Sequence, residues 1–193
     1  MLIYSVVLSE ERMQLADRLA EASHQRWAAQ QGNYENTRHN HLLGRVGEIG
    51  VFDMLSGVNA RIEPHFLNDS DEGLCDITAN DVNLEVKTWT SGLWNQFGRA
   101  VAVNQYDRVA AKASLIVWCT WNASTREVRI MGCSAPVDVL QEPAQWTGPV
   151  AGRKIHNYQL SPWRIMPAFT NLKKPDTGSS DQYRRPSHPS AVS

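Results

Sequence analysis

Several large classes of protein are made improbable by what this chain lacks. No hydrophobic run approaches the ~20 residues of a membrane-spanning helix, so no membrane association is expected. The three cysteines, Cys75, Cys119 and Cys133, are odd in number and include no Cys-x-x-Cys pair. That argues against a disulfide framework and against a zinc finger. Each lies in an apolar run and reads as a buried free thiol of a protein kept in a reducing cytoplasm. No basic residue precedes the short apolar stretch of MLIYSVVLSEER, so a secretory signal is not expected. Charge of one sign is also missing. The formal net charge is -1, and no global basic field advertises a polyanionic partner. P-loop, HNH and GIY-YIG patterns are absent, and no separate helix-turn-helix reader is evident.

What is present suffices for one folded domain. The chain has 193 residues, 42% of them hydrophobic, enough to bury a core without staples. We read residues 1–172 as the domain. Residues 173–193 are Ser/Pro-rich and read as a disordered basic tail. From Arg164 onward the bases Arg164, Lys173, Lys174, Arg184 and Arg185 face only Asp176 and Asp181, a balance of +3 that leaves -4 for the rest. The tail is either a solvated extension or an aid to nucleic-acid binding.

Along the chain, MLIYSVVLS reads as a short strand or an extended lead-in. Ser9 is placed to cap a helix reaching Gln31, with Glu10 and Glu11 in the first turn, where the helix dipole favours acids. Asn33–Asn40 reads as polar loop with Tyr34, Arg38 and His39. His39 and His41 are solvent-facing histidines, a metal pair, or phosphate contacts together with Arg38. Residues 41–56, HLLGRVGEIGVFDMLS, form a helix apolar nearly all round, which is a buried one. Gly44, Gly47 and Gly50 each weaken it by ~1 kcal/mol relative to Ala, which makes sense where another backbone packs closely. Glu48 lies mid-helix, and a carboxylate there must be paired or bound to a cation. Arg45, three residues earlier, is one partner; a metal site is the other. Val58–Leu67 reads as an edge strand, because Pro64 cannot donate to a ladder. Asn68–Gly73 reads as a solvated acidic loop; its spacing fails the calcium-loop pattern.

The stretch GLCDITANDVNLEVKTWT, Gly73–Thr90, carries the chemistry. Two short strands flank Asn80-Asp81, a two-residue turn of the type hairpins use. With that turn Ala79 faces Val82, Ile77 faces Leu84 and Cys75 faces Val86, all on one apolar face. Thr78 with Asn83 and Asp76 with Glu85 share the other face, and Lys87 follows. A three-residue turn would mix polar with apolar on both faces, so the hydrophobic pattern selects the register. Two carboxylates then stand opposite each other with Cβ atoms ~4.5–5.5 Å apart, a repulsion that a divalent cation would offset. Lys87 projects to the same side ~7 Å along from Glu85. Acid, acid and lysine in this arrangement suit metal-assisted attack on a phosphodiester.

Glu48 in GRVGEIGVFDML, then Cys75-Asp76, then Glu85-Val86-Lys87 resembles the PD-(D/E)XK nuclease superfamily. Its pattern is an acid on the first core helix, an acid on the second strand and (D/E)-x-K on the third. Cys75 stands where the motif name has proline, a variable position. The match covers roughly residues 40–135. The resemblance implies an α/β fold with a restriction-endonuclease-like core, its central mixed four- to five-stranded sheet flanked by helices. It implies a cytoplasmic Mg2+-dependent endonuclease acting on DNA, with Mn2+ able to substitute and a symmetric dimer as a common arrangement. Asp76, Glu85 and the main-chain carbonyl of Val86 would hold the metal. Glu48 would bind a second metal or a metal-bound water, and Lys87 would position the nucleophile. Alternatives are a structure-specific or Holliday-junction-type resolvase, or a non-catalytic nucleic-acid-binding or phage–host interaction protein that keeps the fold.

The remainder supplies candidate contacts to nucleic acid. Trp89, Trp94, Gln96 and Arg99 lie in the glycine-broken stretch 88–100, which reads either as a base-stacking surface or as a tryptophan-rich core flap. Val103–Ala113 reads as a helix. The resemblance makes its Gln105 and Tyr106 candidates near the site, and Arg38 and Arg45 complete the set. Residues 114–121 read as a buried strand pairing with 127–133, and Pro136 starts a short helix. Gly152–Leu172 reads as irregular, anchored by Tyr158, Leu160, Trp163, Ile165 and Phe169.

Overall fold

The computed structural model describes residues 4–27, 37–58, 60–68, 74–148 and 154–162. The expected tail, residues 173–193, and the anchors Trp163, Ile165 and Phe169 lie outside them. The fold is mixed α/β. A six-stranded sheet runs in the order β1 (Tyr4–Val7), β7 (Glu127–Ser134), β6 (Leu115–Asn122), β4 (Val82–Thr90), β3 (Ile77–Ala79) and β2 (Ile62–Pro64). Only β4 and β6 pair in parallel; every other neighbour is antiparallel. The sheet thus has more than the four to five strands expected, because the chain's opening segment adds β1 against β7 and Ile62–Pro64 adds β2. Pro64 does sit on an edge strand, and a single 3-10 turn, His65–Leu67, follows it.

A second sheet was not foreseen. It has three strands in the order β5 (Ala100–Ala102), β9 (Ile155–Gln159) and β8 (Gln145–Thr147). Part of the segment read as irregular is therefore a strand, paired with residues about 55 positions earlier through contacts that local periodicity does not reveal.

Among the described residues four α-helices complete the fold: α1 (Glu10–Trp27), α2 (Arg38–Gly57), α3 (Trp94–Phe97) and α4 (Val103–Lys112). Ser9 caps α1 as expected, its Oγ accepting from Arg12 N–H at 3.2 Å. Helix α2 starts three residues earlier than the sequence suggested. Thr37 is in extended conformation and its hydroxyl accepts from Asn40 N–H at 3.3 Å, so Arg38–Asn40 join the first turn.

Side chains of β6 alternate between two cores. Val117, Cys119 and Trp121 join the core beneath α1 and α2; Ile116 and Trp118 join the one beneath α4 and the second sheet. The β6–β7 register shifts between Trp118 and Cys119, leaving Met131 unpaired and turned to the second core. The glycines of α2 explain its close approach to the sheet. A Cβ on Gly47 would fall 1.7 Å from Thr88 Oγ1, and one on Gly50 2.7 Å from Val128 Cγ1. What packs there is side chains of β4 and β7, not the backbone anticipated. All three cysteines are buried free thiols.

Candidate functional site

The β3–β4 hairpin adopts the register chosen by its apolar face: Ile77 with Leu84, Thr78 with Asn83 and Ala79 with Val82. Asn80 and Asp81 both have positive φ, 47° and 66°, as a two-residue turn matched to strand twist requires. The ladder does not continue to Asp76 and Glu85. Asp76 N–H donates to the Leu84 carbonyl at 3.0 Å, out of step with the pairs above it. Its carboxylate turns to the partner backbone, Oδ2 accepting from Val86 N–H at 2.7 Å. The two acids are therefore neighbours, but not the directly opposed pair of a regular ladder.

Strand β4 sorts its residues by face. Leu84 and Val86 enter the first core and Thr88 meets α2. Glu85 and Lys87 project to the other side, where Trp89 packs on the second core. The Glu85 side chain is only 4% exposed and lies between two ammonium groups: Lys87 Nζ is 2.7 Å from Oε1, and Lys112 Nζ is 2.6 Å from Oε2. Lys112 was not found from the sequence. It ends α4, one turn beyond the buried Val109 and so on the same stripe of the helix. The only sequence signal was that stripe; no motif spacing marks it. Glu48, on α2, pairs with Arg45, Nη1 to Oε2 at 2.8 Å, and feels the charges of Glu85 and Lys87. Arg45 Nη1 also donates to the Phe66 carbonyl at 3.2 Å. The Arg45 partner expected for Glu48 is thus present.

Electrostatics show that the acids share one field. Burial, then Glu85 and Glu48, push Asp76 up to about 8. Burial also raises Glu48, against the pull of Arg45. Burial opposes the charge of Glu85 too, yet Lys87 and Lys112 together outweigh it and hold Glu85 below the usual carboxylate range. Two of the three carboxylates thus hold their protons more tightly than usual, with burial the first cause. Glu85 Oε2 is buried and takes the Lys112 ammonium in a charge-assisted hydrogen bond. A hard cation suits such donors, since Mg2+ takes carboxylate oxygens and usually only one or two of them, with waters completing the shell. Among the described residues no group of three or more His, Cys, Asp or Glu converges closely enough to hold a metal ion by itself.

The other candidates fall into two groups. Arg38 binds Asp17 and Glu21 of α1 at 2.8 and 2.9 Å, which makes it a strut between helices. His41 Nδ1 lies 2.9 Å from Ser23 Oγ, and the His24 and His41 rings are 5.6 Å apart; His39 is exposed. Trp94 is buried in the second core. Arg99, 6% exposed, lies over its ring at 5.0 Å and donates to the carbonyls of Leu160 and Trp94. For these two the core-flap reading holds, because neither is free to stack on a base. Trp89 packs on the same core, and Tyr106 meets Tyr158 edge to face at 5.6 Å. Gln105 is half-buried. Gln96 is exposed, its carbonyl accepting from Gln159. Within the described residues no helix is long and apolar enough to cross a membrane. Set against family models, curated proteins and solved structures, the chain matches none.

Proposed function

We propose that the protein is a Mg2+-dependent nuclease that hydrolyses phosphodiester bonds of DNA, on a restriction-endonuclease-like core of the PD-(D/E)XK kind. One observation carries this reading. Glu48 on α2, Asp76 just before β3 and Glu85 on β4 act on one another electrostatically, with Lys87 and Lys112 against Glu85. The β3–β4 hairpin beside a parallel β4–β6 pair, with α2 across the first face, supports the same reading.

Asp76, Glu85 and the Val86 carbonyl would hold the ion, with Glu48 beside it. When bound, Mg2+ polarises a phosphoryl oxygen and lowers the pKa of water. The protein supplies the rest. Asp76 fixes the Val86 backbone through its hydrogen bond, so the strand edge is rigid where the ligands lie. Lys87, the more exposed of the two lysines at 24%, orients the attacking water and stabilises charge building on phosphorus. The buried walls around Glu85 exclude bulk water, which strengthens each of these interactions.

The test is incubation of the full chain with plasmid, linear duplex, branched DNA and RNA in Mg2+, Mn2+ or EDTA, with products resolved on gels. Metal-dependent cleavage of DNA is expected, together with a loss of at least ~100-fold in Asp76→Ala, Glu85→Ala and Lys87→Ala. A Lys87→Ala protein cutting at the wild-type rate would sink the mechanism. No metal-dependent cleavage of any substrate would favour the binding-protein alternative.

A further inference from the structure

Lys112 stands outside the Asp76–Glu85–Lys87 set, yet it makes one of the two shortest polar contacts of Glu85. Its side chain is 13% exposed and its ammonium is 2.6 Å from Oε2. The contact is a charge-assisted hydrogen bond. A cation arriving at Oε2 must therefore share that oxygen with the ammonium or displace it. The described cluster is also formally balanced. Glu48, Asp76 and Glu85 face Arg45, Lys87 and Lys112. A divalent cation adds two charges to a set already neutral, and its nearest like charge on the Oε2 side is Lys112. Two positive charges sharing one carboxylate oxygen repel strongly where water is scarce.

We propose that Lys112 is a positioning residue that competes with the divalent cation for Glu85 Oε2 and so sets the cation affinity of the site. This rests on the metal-nuclease reading above. Lys112 keeps the Glu85 carboxylate oriented between α4 and β4, and it weakens cation binding in doing so. Lys87, on Oε1, is left for the nucleophile. The site is thereby tuned to exchange its ion rather than trap it.

The experiment is calorimetric titration of Mn2+ alone into the full-length wild type, Lys112→Met, Lys112→Gln and Lys112→Arg, with Glu85→Gln as the control for site loss. Thermal unfolding of each variant checks folding, and Lys112→Gln serves if Lys112→Met does not fold. The neutral variants are expected to bind Mn2+ at least about 10-fold more tightly. Lys112→Arg should stay near wild type. At saturating Mn2+ the neutral variants should cleave more slowly, through kcat rather than KM, because Glu85 has lost an anchor. Unchanged or weaker Mn2+ binding in both neutral variants overturns the inference, and if the wild type still cleaves, the nuclease reading stands. If neither wild type nor variants bind Mn2+ and none cleaves, both ideas fail together.

Discussion

The two faces of the main sheet are built from different materials. Under α1 and α2 the core is mostly aliphatic, with Val46, Ile49, Val51, Leu55, Ile77, Leu84, Val117 and Val128 buried together. Glycines let α2 press onto the strands there. Under α4 and the small sheet the core is smaller and aromatic, built on Trp94 and Trp118 with Trp89, Tyr106 and Tyr158 around them. That face also has polar fastenings: Trp118 Nε1 donates to Ser134 Oγ at 2.9 Å, and Arg99 holds the Leu160 carbonyl at 3.0 Å. Glu85, Lys87 and Lys112 belong to this second face, and Glu48 comes from the helix over the first. An aliphatic core gives close packing and a fixed sheet but offers a buried charge no partner of its own, so Glu48 there brings its partner, Arg45, on the same helix. An aromatic core with polar fittings can border a charge. Glu85, Lys87 and Lys112 gather where this second kind of packing is available.

Three measurements would break or sharpen this contrast. The largest effect is expected on the aliphatic face. Gly47→Ala would set a methyl 1.7 Å from Thr88 Oγ1, and such overpacking costs about 1–3 kcal/mol. Gly44→Ala, whose Cβ would meet only Glu48 Oε1 at 3.9 Å, should be neutral or stabilise by up to ~1 kcal/mol through helix propensity. Urea denaturation separates the two, and equal stabilities would show that α2 does not press onto β4.

Next comes pH. Asp76 is pushed up to about 8 by burial and its acid neighbours, so the folded chain holds that proton more tightly than the unfolded one. Stability should therefore fall as pH rises from about 4 to about 8. Glu85, held low by its lysines against its burial, acts in the opposite sense; its contribution is present above the ordinary carboxylate range and is lost on acidification below it. Saturating Mg2+ should flatten the upper slope by offsetting the charge on Asp76. A thermal midpoint that ignores both pH in this window and Mg2+ would count against a shared acid site.

The smallest effect belongs to the rim of the second sheet. Trp146 is 67% exposed and merely stacks on His156 at 4.9 Å. Trp146→Ala should change stability by no more than ~0.5 kcal/mol, whereas a large loss would mean that the aromatic core extends to the hairpin tip.

The parts of this structure legible in the sequence are those with local rules. Period-two patterning and a two-residue turn settled which residues of β3 and β4 face each other from Ile77 to Leu84. The pattern could not show that Asp76 leaves the ladder, because a strand end is shaped by what the backbone bonds to next. The apolar circumference of α2 announced a buried helix; Thr37, not the apolar run, decides where it begins. Lys112 was illegible because it reaches Glu85 only through the crossover from β4 through α4 to β6. The same holds for Arg99. An arginine beside tryptophans suggests a nucleic-acid surface, but its positive φ of 61° and its two carbonyl acceptors make it a buried clasp.

The hydrogen bond from Val86 N–H to Asp76 Oδ2 has a spectroscopic consequence. An amide proton donated to an ionised carboxylate is held in a stronger bond than one donated to a neutral acid. The Val86 amide is thus a native probe of the charge on Asp76. Its proton resonance should move through the titration of that acid and respond again when a divalent ion arrives, giving a readout of the site at a single backbone position without any substrate present.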